Sequence, residues 1–399
     1  MTDTLNILMF SAQFRPFVGG AERQAEKLSK ALVAQGIRVT VLTPALAPGL
    51  PAEERDNGVI IRRFPLLDIT RRLPGVRGLG SFNLLSLQIQ IARAVDRHIR
   101  GASVVHAHMA GSLAAFVAQS ARRRAVPVIC KVGMAMAGGR SDLTELARVG
   151  AGGPRLARSM IRNVDRWIAT TDAVRQSLTE SGISEQRIES IPNGVELPVE
   201  PGQSLRRGAV RRFLYLGRIS ANSDRDVPTL VRAFDRLADE DADVQLSIVG
   251  DGDLLGAVEA LVAKCRNAAR IQMPGQQAPE TWLSWADCMV LPSRREGLSN
   301  ALLEAMAAGL VCIANDIPAN REVLAGGGAG ILTPVEGEDA LLHALRSVCA
   351  DSHFADRIRQ SGRERARTTY DINAVAARYI RLYEQLKSRS PTTVERRLC

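Results

Sequence analysis

The stretch ADCMVLPSRREGLSNALLEAMAAG, residues 286–309, combines a short apolar run, a polar loop and a second apolar segment. The run CMVLP predicts a buried strand that ends at Pro292. A helix is expected to begin at Ser299 or Asn300, because serine is a favoured N-cap residue. A strand, a short loop and a helix in that order form the repeating unit of a parallel α/β sheet.

The alternation of short strands and helices continues along the chain on both sides of this stretch. Strands are predicted at residues 5–10, 37–43, 59–64, 103–108, 126–132 and 166–170, and then at 213–217, 244–250, 288–292 and 310–314. A helix is predicted over residues 21–35, with Gly36 as its C-terminal glycine. The pattern predicts the α/β class, with two Rossmann-like domains that face each other across a ligand-binding cleft.

The domain boundaries follow from composition. Residues 195–208, VELPVEPGQSLRRG, are rich in proline, glycine and arginine and predict an inter-domain linker. We therefore expect an N-terminal domain over residues 1–200 and a C-terminal domain over residues 201–370. Residues 371–399 are expected to form a helix that is followed by a frayed tail.

The overall composition excludes several classes of protein. Of 399 residues, 46% are apolar and 24% are charged, which is unlike a collagen-like, coiled-coil or largely disordered chain. The six cysteines are scattered, without a Cys-x-x-Cys pair, so zinc and iron–sulfur sites are not predicted. The first residues lack the basic segment of a secretory signal, and no apolar run is long enough to cross a membrane. We expect a cytoplasmic location.

Basic charge is concentrated in the first half of the chain. The formal net charge is +10, and residues 1–200 contribute +9 of it, from 26 basic and 17 acidic side chains. Residues 62–82, RRFPLLDITRRLPGVRGLGSF, interleave arginines with apolar side chains, which suits contact with an anionic membrane surface. A solvated arginine-rich surface is one alternative. Nucleic-acid binding is another, although no recognisable reading module accompanies the charge.

Two glutamates flank the start of the helix predicted after Ser299. Glu296 lies in the preceding loop, and Glu304 lies inside the helix among alanine, leucine and methionine. A helix N-terminus presents unpaired N–H groups that stabilise phosphate. A carboxylate among apolar neighbours is costly unless it meets donors such as sugar hydroxyls. The pattern indicates a site for a phosphorylated sugar, and a surface glutamate pair beside an ordinary helix is the alternative.

Five motifs, in order along the chain, carry a resemblance to a known family. They are PFVGGAE (16–22), VVHAH (104–108), IPNGVE (191–196), YLGRIS (215–220) and SRREGLSNALLEAMAAG (293–309), in which seven residues separate two glutamates. The chain resembles the family 4 retaining glycosyltransferases, which have a GT-B fold. The resemblance covers nearly the whole chain, and it implies that the C-terminal helix, at about residues 371–388, returns to the N-terminal domain. It implies transfer of a sugar from a nucleotide diphosphate sugar to a hydroxyl of a lipid-linked or cell-surface glycan, at the inner face of a bacterial membrane.

The resemblance assigns roles in binding the donor. Glu296 would accept hydrogen bonds from hydroxyls of the donor sugar, and Glu304 would bind the ribose of the nucleotide. Arg218 would neutralise the diphosphate as it leaves, which suits the bidentate geometry of a guanidinium. The sugar and the diphosphate would also contact the backbone amides of Gly297, Leu298, Ser299 and Asn300. The catalytic set implied in this way is His108, Arg218 and Glu296.

The resemblance also assigns residues near the acceptor. His108 would lie at the reacting centre, and Gly19 and Gly20 would let the first loop approach the substrates without a side chain. His106 and His108 alternate along a strand, and we expect them to point to opposite faces, with His106 packed and His108 functional. Lys131, at the end of another strand, is a candidate contact to the acceptor.

The sequence departs from the family pattern after Arg218. The family has a lysine shortly after the Gly-Arg pair, whereas this chain reads GRISANSDRDVPTL, which is about two residues longer and contains no lysine. Arg225 is the nearest substitute for that lysine. An arginine can bind phosphate, but its geometry differs from that of an ammonium group. If Arg225 points elsewhere, stabilisation of the leaving group would rest on Arg218 and the helix amides.

The triplet Asp251-Gly252-Asp253 imitates a metal-binding Asp-x-Asp motif. Because it follows a predicted strand and opens a predicted helix, we interpret it as a turn followed by an N-cap. No metal ion or other cofactor is expected, since the protein itself would supply the positive charge that the diphosphate needs.

Two other functions remain open at this point. A nucleotide-sugar epimerase of the same architecture would alter the donor without any acceptor. A non-catalytic protein that binds sugar nucleotides would show donor binding without turnover.

Overall fold

The computed structural model describes residues 4–16, 19–72, 79–136, 140–148, 152–198, 208–221 and 224–389. The chain divides into two compact units, Met1–Gly194 together with Ile372–Cys399, and Val195–Asp371. The boundary expected at residue 200 falls among residues 199–207, and the tail expected to fray falls among residues 390–399. Both segments lie outside the described residues.

The first unit is built on an eight-stranded sheet. The strands of this unit are β1 (Asn6–Phe10), β2 (Arg38–Ala45), β3 (Glu53–Asp56), β4 (Val59–Pro65), β5 (Val104–Ala107), β6 (Val128–Val132), β7 (Ala135–Met136), β8 (Arg140–Ser141), β9 (Arg166–Ala169) and β10 (Ile188–Ser190). Strands β7 and β8 form a separate antiparallel pair, and the others form the sheet. The order in the sheet is β10-β9-β6-β5-β1-β2-β4-β3, and only β3 runs antiparallel to its neighbour. The strand order therefore reverses between β1 and β5.

Helices cover both faces of this sheet. They are α1 (Gly20–Ala34), α2 (Ile69–Arg72), α3 (Leu79–His98), α4 (Ser112–Arg123), α5 (Asp142–Arg148), α6 (Gly153–Asn163) and α7 (Asp172–Glu180). The prediction for α1 is confirmed, because Gly36 adopts a positive φ of 84° and its N–H donates to the carbonyl of Val33. The alternation of apolar runs and helical segments in the sequence predicted strands β1, β2, β4, β5, β6 and β9 of this sheet. The short, polar β3 was not predicted.

The second unit contains a six-stranded sheet. Its strands are β11 (Arg212–Leu216), β12 (Gln245–Val249), β13 (Ile271–Gly275), β14 (Cys288–Leu291), β15 (Val311–Asn315) and β16 (Ile331–Thr333). Its helices are α8 (Val227–Glu240), α9 (Leu255–Val262), α10 (Pro279–Trp285), α11 (Asn300–Ala307), α12 (Pro318–Val323), α13 (Glu338–Ala350) and α14 (Ser352–Thr369). All neighbouring strands are parallel in the order β13-β12-β11-β14-β15-β16. The order reverses between β11 and β14, and an open α/β sheet binds ligands beyond the carboxyl ends of the strands at such a point.

The last helix, α15 (Ile372–Arg389), belongs to the first unit. Its apolar side chains share a hydrophobic core with β1, β2 and α1, and they include Ile372, Val375, Tyr379, Tyr383 and Leu386. The side chain of Gln35, at the end of α1, donates a hydrogen bond of 2.9 Å to the carbonyl of Asn373. The helix expected from residue 371 onwards therefore packs on the first unit.

Candidate functional site

The loops that follow β11 and β14 meet at the switch point of the second sheet. The N–H of Asp226 donates to the carbonyl of Pro292 at 2.7 Å, and the N–H of Arg294 donates to the carbonyl of Asp224 at 2.8 Å. These two bonds form a short antiparallel pairing around Arg225 and Ser293. The segment that lengthens the loop after Arg218 is therefore held against the loop that carries Glu296.

Three ion pairs link these two loops. Residues 224–226 read Asp-Arg-Asp and residues 294–296 read Arg-Arg-Glu, so each side chain of one triplet has an opposite charge in the other. The pairs join Asp224 to Arg295, Arg225 to Glu296, and Asp226 to Arg294. The arginines of the two outer pairs are 43% and 47% exposed, so these pairs contribute little to stability. The sequence analysis missed this pairing, although the complementary triplets could have indicated it.

The central pair is shielded from water. Both Nη2 and Nε of Arg225 lie within hydrogen-bond distance of Oε1 of Glu296, at 2.7 and 2.8 Å, and the hydroxyl of Ser293 donates to the same oxygen at 3.0 Å. The side chains of Arg225 and Glu296 are 16% and 14% exposed. Burial by itself would lower the pKa of Arg225, but Glu296 and Tyr215 raise the pKa above its ordinary value. Arg225 therefore stays charged and holds the Glu296 carboxylate in place.

A glycine makes room for this arginine. The Arg225 guanidinium crosses the backbone at Gly217, where a Cβ atom would collide with it. Tyr215, at the end of β11, donates from its hydroxyl to the carbonyl of Arg218 at 2.7 Å. Tyr215 and Gly217 therefore belong to the site that contains Arg225 and the Arg218 backbone. Their part in it was not predicted from the sequence.

Helix α11 begins where the sequence predicted it. Ser299 is its N-cap, and the serine hydroxyl accepts from the N–H of Leu302 at 3.5 Å. Leu298 is buried in the core, so its side chain is not accessible to a ligand. Glu304 is half-buried on the same helix. The loop from Glu296 and the first turn of α11 therefore adjoin each other, which the roles implied by the resemblance require.

Arg218 faces a different space from Arg225. Its exposed side chain helps to line an open depression of about 390 Å³, together with Ser220, Asp251, Gly252, Asp253 and Gln276. Arg225 instead contacts Glu296, so the substitution of Arg225 for the family lysine does not place a second cation in this depression. Among the described residues, Arg218 is the arginine that lines this depression.

The Asp-Gly-Asp triplet forms a turn, as predicted, but not an N-cap. Oδ1 of Asp251 accepts from the N–H of Gly252 at 2.7 Å, and Oδ1 of Asp253 accepts from the N–H of Ala221 at 3.2 Å. The N-cap residue of α9 is Leu254, which makes no side-chain cap. The expectation was wrong because Asp253 bonds the neighbouring loop rather than the helix that follows it. Within the described residues, no three His, Cys, Asp or Glu side chains gather as they would around a metal ion.

His106 and His108 point to the same face of the first sheet, which contradicts the expectation of opposite faces. Side chains two residues apart in a strand share a face, and the two ring centroids lie 5.5 Å apart. His106 is packed, as expected: Nδ1 is 2.8 Å from the hydroxyl of Tyr383, and the ring stacks on Tyr379 at 5.2 Å. Burial, and then the charge of Lys131, lower the pKa of His106 to about 3.

His108 follows β5 directly, at the switch point of the first sheet. It is 1% exposed, and its ring interacts with the backbone of Ala21. Burial lowers its pKa well below 6.5, and Lys131 and His106 lower it further. The backbone of Ala21 opposes this shift, which places His108 beside the first turn of α1. Gly19 is the N-cap of that helix and Gly20 is its first residue.

The charge of residues 62–82 is only partly available for a membrane contact. Arg62 and Arg63 pair with Glu53 and Glu54 of β3. Residues 73–78 lie outside the described residues. None of the described helices is long and apolar enough to cross a membrane.

Comparison with known proteins identifies the family. The profile described as "Glycosyl transferase 4-like domain" matches residues 19–194, and that described as "Glycosyl transferases group 1" matches residues 210–351. This chain belongs to the family 4 glycosyltransferases. A similar relative is the phosphatidyl-myo-inositol mannosyltransferase of Mycobacterium tuberculosis, 30% identical over 57% of this chain and 62% of the relative. The chain thus spans about three-fifths of the curated relatives that it matches first.

Two further similarities extend along almost the whole of this family 4 chain. The alpha-D-kanosaminyltransferase of Streptomyces kanamyceticus is 24% identical over 90% of this chain and 98% of the relative. The crystal structure of HepE from Anabaena in complex with UDP superposes with a TM-score of 0.72, at 16% identity, and covers 96% of this chain and 100% of HepE. The structural likeness confirms the GT-B fold.

The buried histidine pair predicts a pH dependence of stability. His106 has a pKa of about 3 in the folded chain and an ordinary value of 6.5, so the unfolded chain binds the proton more readily. Its contribution to stability is therefore complete above pH 6.5 and is lost as the pH falls towards 3, with a slope of about 1.4 kcal/mol per pH unit. His106→Gln should flatten the pH dependence of the free energy of unfolding, measured in urea between pH 6.5 and 4.

The exposed His343 provides the control, because His343→Gln should leave the wild-type slope unchanged. Equal slopes for His106→Gln and the wild type would show that folding does not lower the pKa of His106.

The Arg225–Glu296 pair predicts a coupling energy. Arg225→Met and Glu296→Gln should each destabilise the protein, because each leaves a shielded partner without its counter-charge. The free energy of unfolding lost in the double variant should be smaller than the sum of the two single losses by about 1–3 kcal/mol. Urea unfolding of the four proteins gives this coupling, and strictly additive losses would contradict the pair. The exposed Arg294–Asp226 pair, treated in the same way, should couple by less than about 1 kcal/mol.

Proposed function

We propose that the chain transfers a sugar from a nucleotide diphosphate sugar to a hydroxyl group of a lipid-linked or cell-surface glycan acceptor, with retention of the anomeric configuration. The observation that carries the proposal is the joined pair of loops at the second switch point. There the Glu296 carboxylate is held by Arg225 directly before the capped N-terminus of α11. Family membership, and the nucleotide in the HepE structure, support a nucleotide-linked donor.

The proposed chemistry follows from these residues. The bond between C1 of the sugar and the diphosphate oxygen breaks, and C1 bonds to the acceptor oxygen on the same face. The proton of the acceptor hydroxyl passes to the departing diphosphate. Arg218 and the amides of Gly297, Leu298, Ser299 and Asn300 stabilise the charge on the leaving group, and Glu296 orients the sugar through its hydroxyls. We infer that this reaction needs no metal ion, since these residues supply the positive charge. His108, Gly19 and Gly20 are proposed to contact the substrates from the first unit.

Glu296→Gln tests the proposed donor site. The variant loses the charged hydrogen bonds to the sugar, so kcat/KM for transfer should fall about 10- to 100-fold. The assay would combine UDP-, GDP- and ADP-sugars with a bacterial lipid extract and would detect glycosylated lipid by mass spectrometry. Glu280→Gln, on the exposed side of α10, is the matched control and should transfer at the wild-type rate.

Circular dichroism would verify that the Glu296→Gln variant is folded. Undiminished transfer by this variant would refute the assigned site. Reactions with and without acceptor separate the two alternative functions. An epimerase would convert the sugar nucleotide even without acceptor, whereas a non-catalytic binding protein would convert it in neither reaction.

The membrane part of the proposal rests on one face of α3. Phe82, Leu85 and Ile89 are 63%, 53% and 44% exposed, and Arg93 and Arg97 continue the same outward stripe at helical spacing. Neither arginine forms an ion pair with a described residue. Exposed apolar side chains beside unpaired arginines suit the surface of an anionic membrane. We infer peripheral attachment through α3 at the cytoplasmic face, with the lipid that carries the acceptor close by.

Vesicle sedimentation tests this attachment. The wild type should sediment with vesicles that contain phosphatidylglycerol, and not with pure phosphatidylcholine. Arg93→Gln with Arg97→Gln should weaken binding at least about 10-fold, because each arginine near anionic lipid contributes about 1 kcal/mol. Binding should also weaken with salt. The control pair Arg38→Gln with Arg381→Gln removes two exposed arginines elsewhere in the first unit and should bind like the wild type. Salt-insensitive binding, or none, would refute the attachment.

A further inference from the structure

The two oxygens of the Glu296 carboxylate have different surroundings. Oε1 accepts from Nε of Arg225 at 2.8 Å and from the hydroxyl of Ser293 at 3.0 Å, and Nη2 of Arg225 lies 2.7 Å from it. Because a carboxylate oxygen has two lone pairs, these donors saturate Oε1. No described residue donates a hydrogen bond to Oε2. Oε2 is therefore the oxygen that is left for a substrate.

Both groups that hold Oε1 come from one backbone pairing. Arg225 and Ser293 lie opposite each other in the short antiparallel bridge between the loops after β11 and β14. One donor therefore reaches the carboxylate from each loop. Rotation of the Glu296 side chain would break the contacts with both of them, so the carboxylate is held in a single orientation.

The other side of the Arg225 guanidinium contacts Tyr215. The Tyr215 hydroxyl lies within hydrogen-bonding reach of the guanidinium, and it donates to the carbonyl of Arg218 at 2.7 Å. Nη1 of Arg225 lies where a Cβ atom of Gly217 would stand. A chain of polar contacts thus runs from the Glu296 carboxylate through Arg225 and Tyr215 to the backbone of Arg218.

These contacts direct the Arg225 guanidinium away from a diphosphate. An arginine that binds phosphate presents two parallel N–H groups to its oxygens. In Arg225, Nε and Nη2 are both directed at Glu296, and Nη1 lies against Gly217. The planar guanidinium can contact Glu296 and Tyr215 at the same time, whereas the ammonium group of a lysine is a single point of charge.

We propose that Arg225 and Tyr215 are positioning residues, which orient Glu296 so that its Oε2 accepts from a hydroxyl of the donor sugar, and that neither residue binds the diphosphate. This inference rests on the proposed function, in which Glu296 contacts the sugar. The positive charge next to the leaving group then comes from Arg218 and from the amides at the start of α11. The arginine at position 225 serves the sugar rather than the phosphates.

Binding of nucleoside diphosphates tests whether Arg225 contacts the diphosphate. Calorimetric titration of the wild type with UDP, GDP and ADP should identify a nucleotide that binds, and Arg218→Gln should weaken its affinity at least about 10-fold. In a Glu296→Gln background, which leaves no carboxylate without its counter-charge, Arg225→Met should change the affinity by less than about 2-fold. A further loss of about 10-fold or more would overturn the proposal.

Transfer kinetics test whether Arg225 acts through Glu296. Arg225→Lys keeps the positive charge but cannot make both contacts, so kcat should fall at least about 10-fold while the nucleotide affinity stays unchanged. Wild-type transfer by this variant would overturn the proposal, because a lysine can replace an arginine that only supplies charge. In the Glu296→Gln background, Arg225→Lys should cause no further loss of kcat, and additive losses would also overturn it. Arg232→Met, which breaks an exposed ion pair with Glu338 in the same unit, is the matched control.

Tyr215→Phe tests the second positioning residue, because it removes the hydroxyl and keeps the ring. We expect kcat to fall about 3- to 10-fold with the nucleotide affinity unchanged. Tyr370 provides the matched control, since it is buried in the same unit beside the guanidinium of Arg365, and Tyr370→Phe should transfer at the wild-type rate. Transfer by Tyr215→Phe at the wild-type rate would overturn its positioning role. Thermal unfolding would verify that each variant is folded.

The outcomes distinguish this proposal from the proposed function. Transfer with a nucleotide affinity that depends on Arg225 would refute the positioning role and leave the proposed function standing. Nucleotide binding that is independent of Arg225, without transfer to any acceptor, would refute the proposed function and leave Arg225 outside the diphosphate site. Neither nucleotide binding nor transfer by the wild type would refute both.

Discussion

The ion pair between Arg225 and Glu296 is the interaction on which the candidate donor site depends. At 16% and 14% exposure each of these charges would be costly without the other, so the pair favours contact between the loops after β11 and β14. Gly217 must lack a side chain for the guanidinium to pass. The pair thereby fixes Glu296 at the start of the short segment that leads to the Ser299 cap of α11.

This constraint changes the meaning of the missing lysine. An arginine at position 225 could have been a longer substitute cation for the diphosphate, but its guanidinium is occupied by a carboxylate of the site itself. In the structure, the Arg225 guanidinium holds the Glu296 carboxylate. The arginines of the flanking pairs with Asp224 and Asp226 are more exposed, so these two pairs contribute little energy.

Local patterns in the sequence predicted the features that depend on neighbouring residues. The buried strands, the glycine end of α1 and the serine cap of α11 belong to this group, and so does the alternation that places Arg218 and Glu296 after strands of one sheet. The contact of Arg225 with Glu296 spans 71 residues and arises from tertiary pairing, which spacing alone does not reveal. His106 and His108 were expected on opposite faces of the sheet. That expectation was wrong because side chains two residues apart in a strand lie on the same face. Short or polar strands such as β3 and β16 lack the apolar signal that marked the others.

The position of α15 has a consequence for how the chain is made. The first unit is discontinuous in sequence: its core is completed by Tyr379, Tyr383 and Leu386, which leave the ribosome after the whole of the second unit. His106 lacks its Tyr383 partner until then. The N-terminal unit is thus synthesised first but completed last, and the second unit, which is continuous, can close while the first still exposes the α1 side of its sheet.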